Sequence, residues 1–311
     1  MSKTDKVGSI REIFIQISSN KKEKIVNIDR IIDNKLNKIY DVYHIKTNKD
    51  EYILKKYKKE YEAKIYETFF VNRGLSVPKY MGKTMDSKGN LWFLIEYIQG
   101  NDFEDKSLND YTKLALELVR IHSKFMDIDG NDYGFMRDSH KIRSEKILKL
   151  KDLVDNNSIN WDKGIINTLE YGLKRFHDGP KTLIHDDLLP INIIGKEDNI
   201  KIIDWGFASI GCYSHDIGRL LGDYKNDKGD LWVNKLWHKE ILSVYYNGLC
   251  SSCREDISWE DFIIDYHCSK LWNYGDIVLS HIFNDWEVTD WYRLNFENMI
   301  NIVHIIKDKL T

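Results

Sequence analysis

Between residues 24 and 58 apolar and polar positions alternate with a period of two. The segments are Lys24-Ile-Val-Asn-Ile, Lys38-Ile-Tyr-Asp-Val-Tyr-His-Ile and Glu51-Tyr-Ile-Leu-Lys-Lys-Tyr, divided by polar turns such as Thr47-Asn48-Lys49-Asp50. That spacing predicts an antiparallel meander. From Glu60 to Asn72 the period becomes helical, with Tyr61, Ile65, Phe69 and Phe70 on one side and Gly74 where a C-terminal glycine ends such an element. After Val77-Pro78 two more strands are expected. They turn at Asp86-Ser87-Lys88-Gly89-Asn90, and the second is the apolar run Leu91-Trp-Phe-Leu-Ile-Glu-Tyr-Ile. Gln99-Gly100-Asn101-Asp102 then interrupts the pattern. Beyond it the period is mostly helical: Leu108 to Phe125 with Leu114, Leu118, Ile121 and Phe125 on one side, residues 143–177, and most of 228–310. Two short strands, Thr182-Leu-Ile-His and Ile200-Lys-Ile-Ile-Asp, flank a loop. The whole predicts an α+β chain with a small antiparallel-sheet lobe over residues 1–98 and a larger, mainly helical lobe over 99–311.

Near the start, Ile10-Arg-Glu-Ile-Phe-Ile-Gln-Ile17 alternates apolar with polar residues and offers no apolar block of the signal-peptide kind. Apolar runs elsewhere are far shorter than the roughly 20 residues a membrane helix needs, so no membrane partner is expected. With 42% hydrophobic and 31% charged residues the 311-residue chain reads as a globular protein. Lys and Arg total 46 against 49 Asp and Glu, a formal charge of −3, which gives no basic excess for nucleic-acid binding. Four cysteines, Cys212, Cys250, Cys253 and Cys268, are too few for a disulfide framework, and a reducing cytoplasm is the expected location. Cys250-Ser-Ser-Cys253 with His267-Cys268 fits no zinc-finger spacing, so free thiols are expected. The 13% aromatic content suits pockets for flat or cationic ligands.

The chemistry-bearing stretch is His185-Asp186-Asp187-Leu-Leu-Pro-Ile-Asn192, followed by Ile203-Asp204-Trp205-Gly206. Phosphoryl transfer needs a carboxylate to orient an attacking hydroxyl and take its proton, and hard oxygen ligands to hold magnesium. Asp187, Asn192 and Asp204 are of those types. The stretch resembles the small-molecule branch of the kinase superfamily, the aminoglycoside phosphotransferase and choline kinase family. His185-x-Asp187-x-x-x-x-Asn192 is similar to its catalytic loop, and Ile203-Asp204-Trp205 to its metal-binding segment. Further resemblances run in the family's order. Ile53-Leu54-Lys55 is similar to the third-strand lysine motif, and Glu62-Ala63 stands where a lysine-pairing glutamate lies. Leu94 to Gly100 resembles the adenine hinge, Leu114-Ala115 to Ile121-His122 the following helix, and Asp216-Ile217-Gly218 the acidic segment after the metal loop.

The resemblance implies a bilobal protein-kinase-like fold with ATP or GTP and Mg²⁺ between the lobes. It implies Asp187 as catalytic base, Asn192 and Asp204 as metal ligands, and Lys55 paired with Glu62 on the nucleotide phosphates. Glu96 and Ile98 would meet the adenine, and His185 would steady the metal loop without moving a proton. Glu60 and Glu67 share the helix of Glu62 and leave the choice of partner open, while Lys56 and Tyr57 are expected to face away from Lys55. The acceptor site would come from C-terminal helices that interleave rings and carboxylates, with Trp272, Asp276, Asp285, Trp286 and Glu287 as candidates. Two departures stand out. Asp186 adds a negative charge beside the base, expected to raise its pKa. The phosphate loop expected at Asp33-Asn-Lys-Leu-Asn37 has no glycine. The reading is a cytoplasmic kinase for a hydroxyl of a small cationic acceptor, an aminoglycoside antibiotic first, with choline or ethanolamine as the alternative. A catalytically silent, spore-coat-type protein is a third reading. Nucleotide choice and oligomeric state stay open.

Overall fold

The alternating segments form a five-stranded sheet: β1 (Ile25–Asp33), β2 (Lys38–Thr47), β3 (Glu51–Tyr57), β4 (Tyr80–Met85) and β5 (Leu91–Glu96), in the order β1-β2-β3-β5-β4 with every pairing antiparallel. The computed structural model describes the chain apart from residues 1–2, 19–22, 34–37, 58–59, 105, 129–131, 157, 159, 197–198, 226–228, 253–256 and 311. Asn34 to Asn37 of the expected phosphate loop, and Cys253, therefore lie outside the described residues.

One face of the sheet carries Tyr43, Ile45, Tyr52, Leu54, Trp92 and Leu94, the residues that a period of two puts on the same side. That face is covered by α1 (Lys3–Ile17). The same residues whose alternation looks strand-like also contain a helical stripe, and Ile10, Ile13, Phe14 and Ile17 are all buried against the sheet. Ile15, which a strand would group with Ile13 and Ile17, is 55% exposed. The opposite face packs α2 (Tyr61–Ile65), which continues as a wider π-type turn over Tyr66–Phe70. There the Val71 N–H donates to the Tyr66 carbonyl at 3.2 Å, one residue further back than in an α-helix. Tyr66, Phe69 and Phe70 are buried as a result, and Phe70 meets Trp205 with ring centroids 4.6 Å apart. Gly74 closes the segment at φ +65°.

The two-residue strand β6 (Asn101–Asp102) follows, then α3 (Leu108–Lys124), α4 (Ser139–Asp155) and α5 (Lys163–Asp178). Residues 143–177, read as continuously helical, are thus two helices. Ser107 starts α3 with a reciprocal capping box to Asp110. Next come β7 (Lys181–Ile184), the hairpin strands β8 (Ile193–Lys196) and β9 (Asn199–Ile202), and β10 (Ser209–Cys212), which pairs antiparallel with β7. The chain ends with α6 (His215–Leu220), α7 (His238–Ser252), α8 (Trp259–Phe283) and α9 (Asp290–Leu310). The main helical core joins α4, α5, α8 and α9 through residues such as Leu150, Leu169, Leu271 and Met299. Cys212 and Cys268 are buried free thiols and Cys250 is an exposed one. No helix among the described residues is long and apolar enough to cross a membrane.

Two compact units result: Met1–Asn101 with Ile194–Gly206, and Asp102–Ile193 with Phe207–Thr311. The α+β class expected from the pattern is what the chain adopts, with the five-stranded antiparallel sheet, α1 and α2 in the first unit and helices α3 to α9 in the second. Strand order along the chain did not reveal that the hairpin around β9 groups with the first unit. The Ile202 N–H donates to the Ser76 carbonyl at 2.8 Å, and a Cβ at Gly100 would stand 2.8 Å from the Gly195 carbonyl oxygen. Gly100, at φ +157°, is the residue type that this approach requires.

The packing of α1 can be checked residue by residue. Phe14→Ala should cost about 3 to 5 kcal/mol of unfolding free energy in urea titrations, and Ile15→Ala less than about 0.5 kcal/mol. Equal losses at the two positions would contradict a helix packed through Phe14.

Candidate active site

In the first unit, β3 points Lys55 off the sheet face opposite α1, and the first turn of α2 brings Glu62 to it. The Lys55 ammonium donates to both Glu62 oxygens, at 2.9 and 3.0 Å, and to Asp204 Oδ1 at 2.9 Å. Glu62 is fully buried, Lys55 largely so, and the Asp204 side chain is 49% exposed. The other helix glutamates are engaged elsewhere, Glu60 with Lys64 and Glu67 with Lys83 and the Tyr80 hydroxyl. Burial alone would depress the Lys55 ammonium, but the Glu62 and Asp204 carboxylates outweigh it and hold its pKa above the usual lysine value. Burial pushes the Glu62 carboxyl up, and Lys55 offsets that only in part.

One expectation about this strand is corrected. Tyr57 does not face away from Lys55: its hydroxyl donates to Glu62 Oε2, and its ring lies beside Lys55. A period of two puts residues 55 and 57 on one face and Lys56 on the other, where Lys56 lies over the Trp92 ring. Burial and the Glu62 charge raise the Tyr57 pKa, which keeps the phenol protonated as a donor. Asp204 itself adopts φ +62°, the left-handed region that side chains enter at a cost of about 1 kcal/mol or more. At the end of β5 the Glu96 N–H donates to the Lys79 carbonyl at 2.9 Å, and Ile98 is buried two residues further on.

In the second unit, the loop after β7 carries Asp187 and is held by a carboxylate thirty residues away. Asp216, fully buried on α6, accepts the His185 N–H at 2.7 Å and the Asp186 N–H at 3.0 Å. It also contacts His122 Nε2 of α3 at 3.2 Å, and His122 Nδ1 lies 2.7 Å from the Tyr245 hydroxyl. Burial would raise the Asp216 pKa, yet these partners, His122 foremost, hold it below the ordinary carboxylate value. Buried His185 accepts the Asp187 N–H on Nδ1 at 3.3 Å, so it braces the loop. Asn192 donates from Nδ2 to the Asp187 carbonyl at 2.9 Å and to its carboxylate at 3.5 Å. Its amide oxygen is thereby left for another partner.

Asp186 is turned away from Asp187. At φ +64° its carboxylate meets Arg143 at 2.9 Å, His215 Nε2 at 2.8 Å, and the Ser139 and Ser209 hydroxyls at 3.2 and 3.3 Å. Burial would raise its pKa, but Arg143 and His215 reverse that and hold it well below the usual range. The Asp186 charge is therefore neutralised within the loop's own support. Asp187 has its own cation: Arg219 of α6 donates to its Oδ1 at 2.8 Å and to the Tyr224 hydroxyl at 2.5 Å.

The acceptor candidates are not brought to one place. Trp272 is fully buried, with Arg143 over its ring at 6.0 Å, so it serves the core rather than a ligand surface. Asp276 accepts from Arg143 Nε at 2.9 Å and Lys146 Nζ at 2.8 Å, and its charge is answered inside the protein. Asp285, Trp286 and Glu287 lie exposed at the turn between α8 and α9. Sequence reasoning missed Arg143, Arg219 and Tyr57. Arg143 had a readable signal, because it shares the buried face of α4 with Ile147 and Leu150 at helical spacing. Arg219 stands one helical turn after Asp216. Among the described residues no cluster of three or more His, Cys, Asp or Glu could hold a metal. Asp204 in the first unit and Asn192 in the second each carry a side-chain oxygen of the hard type that magnesium prefers.

Residues 38–246, well over half of the chain, match the model of the phosphotransferase enzyme family, APH. The protein LicA homolog of Mycoplasma capricolum is 22% identical over 217 residues, 63% of this chain and 82% of that one. Among solved structures, Plasmodium vivax ethanolamine kinase superposes with a TM-score of 0.64 at 18% identity, covering 99% of this chain and 91% of that one. Choline kinase from Cryptosporidium parvum Iowa II gives 0.61 at 13% identity over 99% and 96% of the two chains. The GDP complex of aminoglycoside 2'-phosphotransferase-IIIa gives 0.60 at 16% identity over 95% and 98%. These likenesses establish the fold of protein-kinase-like small-molecule kinases.

Removing Arg143 would leave the Asp186 and Asp276 carboxylates buried without their shared cation. Arg143→Met should therefore cost about 3 to 5 kcal/mol at pH 7. In the variant the folded-state pKa values of these groups move above the unfolded value, so the deficit is full at pH 7 and shrinks as pH falls through them. In the unaltered protein those pKa values are depressed, and the stability they confer is lost only as pH falls below about 4. Urea unfolding of both proteins at pH 7 and pH 5 checks this. A deficit that does not change with pH would mean that something other than the ion pairs was lost.

Proposed function

The chain belongs to the phosphotransferase enzyme family, and on that premise we propose that it is a small-molecule kinase moving the γ-phosphoryl group of ATP or GTP to a hydroxyl of a cationic acceptor. The observation that carries this reading is the Lys55 ammonium gripped by a fully buried Glu62 and by Asp204. A buried ion pair is a poor stability device, since well-packed apolar residues do as well or better. A lysine fixed in this way suits the grip on nucleotide phosphates. It also argues against the catalytically silent alternative.

In the proposed reaction the acceptor oxygen bonds to the γ-phosphorus, the bond to the β-phosphate oxygen breaks, and the acceptor proton passes to Asp187. Arg219 and Asn192 hold that carboxylate in place from two sides. Lys55 takes the phosphates, with Glu62 and Tyr57 fixing its position, and Glu96 and Ile98 lie on the segment that would meet the base. Asn192 and Asp204 would hold Mg²⁺, which neutralises phosphate charge when bound. For the acceptor, the exposed Asp285, Trp286 and Glu287 favour a cation. An aminoglycoside remains the first choice, with choline or ethanolamine next, and a cytoplasmic location would suit either.

Purified protein with magnesium, ATP or GTP and a panel of aminoglycosides, choline and ethanolamine should transfer phosphate to one class. Turnover of choline or ethanolamine alone would reverse the order of acceptors, and absence of nucleotide binding in calorimetry would favour the silent reading. Asp187→Ala should lower kcat about a thousandfold or more with the fold intact, and Asp204→Ala should remove the response to magnesium. Arg219→Met should lower kcat with little change in nucleotide KM, as expected of a group that orients the base. Undiminished turnover in the Asp187 variant would require another base.

A further inference from the structure

Helices α7, α8 and α9 border a cavity of about 490 Å³ that none of the roles above uses. Its charged lining is Lys235, Lys239 and Lys270 against one carboxylate, Asp223. Asp223 is shared: Lys235 lies 2.8 Å from one oxygen, and Lys270 and the Tyr274 hydroxyl lie 3.0 and 3.2 Å from the other. One carboxylate thus answers two ammonium groups while a third lysine stands beside them. Lys270 is only 5% exposed, and its burial, against the pull of Asp223, depresses its pKa below the usual lysine value.

Three other lining side chains carry a buried polar atom with no hydrogen-bond partner among the described residues: His238 Nε2, His267 Nδ1 and Asn298 Nδ2. Buried polar groups are normally satisfied; the Asn298 amide is a donor that suits a ligand's acceptor, and the two imidazole nitrogens would serve as donors only when the rings are protonated. Burial and Lys270 hold both imidazoles down to a pKa of about 4, and an adjacent anion would favour their charged, donating form. Leu242, Ile263 and Ile302 give the same cavity an apolar side. The volume falls in the range of about 300 to 1,000 Å³ of small-molecule sites.

We propose that this cavity binds a small organic dianion of the phosphomonoester type, its oxygens met by Lys235, Lys239 and Lys270 with the Asn298 amide, and its carbon body by the apolar side. The surplus of two ammonium charges over Asp223 matches a dianion. The sign is opposite to that needed for a cationic acceptor, so this is a second site, and it does not depend on the kinase reading.

Phenyl phosphate titrated calorimetrically into the full chain, in phosphate-free buffer with saturating magnesium-ADP to cover any nucleotide site, tests it. Binding at about millimolar or tighter is expected. The Lys235→Gln/Lys239→Gln double variant, at two exposed positions, should weaken it at least about tenfold, and benzyltrimethylammonium should give no heat. Asn298→Leu, which keeps every charge, should also weaken it. Absence of phenyl phosphate binding in the unaltered protein, or equal binding in the lysine double variant, would overturn the proposal.

Discussion

Asp216 is a carboxylate out of contact with water, and the loop that carries Asp187 hangs on it. Two successive N–H groups of that loop, those of His185 and Asp186, end on its two oxygens. Because a backbone N–H buried without an acceptor is costly, these two bonds hold the course of the loop, and on that course the part-exposed Asp187 meets Arg219. His122 braces Asp216 from α3 and is itself met by Tyr245 of α7. Three helices thus converge on a few peptide groups. The remaining polar side chains near the loop are placed by what this anchor leaves to them.

The same rule, that a buried charge must find an opposite one, decides where the other acids go. Asp186 and Asp276 both turn to Arg143, and Asp187 turns to Arg219. In the first unit Glu62 turns to Lys55. None of these pairs is a strong source of stability compared with apolar packing. Each restricts a side chain to a narrow range of rotamers, and that fixation, rather than stability, is what a buried pair supplies. The left-handed backbone at Asp186 and Asp204 belongs with it, since such strain persists where the surroundings hold the residue in place.

Much of the fold was legible because it rests on local periodicity. The period of two at residues 24–58 and the helical stripes after residue 108 need no knowledge of distant neighbours. The segment at residues 10–17 was ambiguous because Ile10, Ile13, Phe14 and Ile17 satisfy a helix while Ile13, Ile15 and Ile17 satisfy a strand. The contact of Phe14 and Ile10 with Tyr43 to Leu94 on the sheet selects the helix. Likewise Trp272 and Asp276 look like a ring and a carboxylate ready for a cation until the packing of α8 against α4 and α5 buries one and pairs the other.

Taken alone, the amino-acid order determined which chemical groups exist and how far apart they stand along the chain: a lysine on the third strand, a glutamate on the next helix, and an Asp187 to Asn192 loop. It also set the family to which they belong. What only the tertiary structure decided is which charge answers which, that Asp186 turns to Arg143 while Asp187 beside it turns to Arg219, and that these two cationic residues hold the loop. Covalent order and period constrain neighbours within a few residues, as for Lys55 and Glu62, seven apart, whereas the pairs of Arg219 with Asp187 and of Lys55 with Asp204 join residues 32 and 149 positions apart and arise only once the cores have closed.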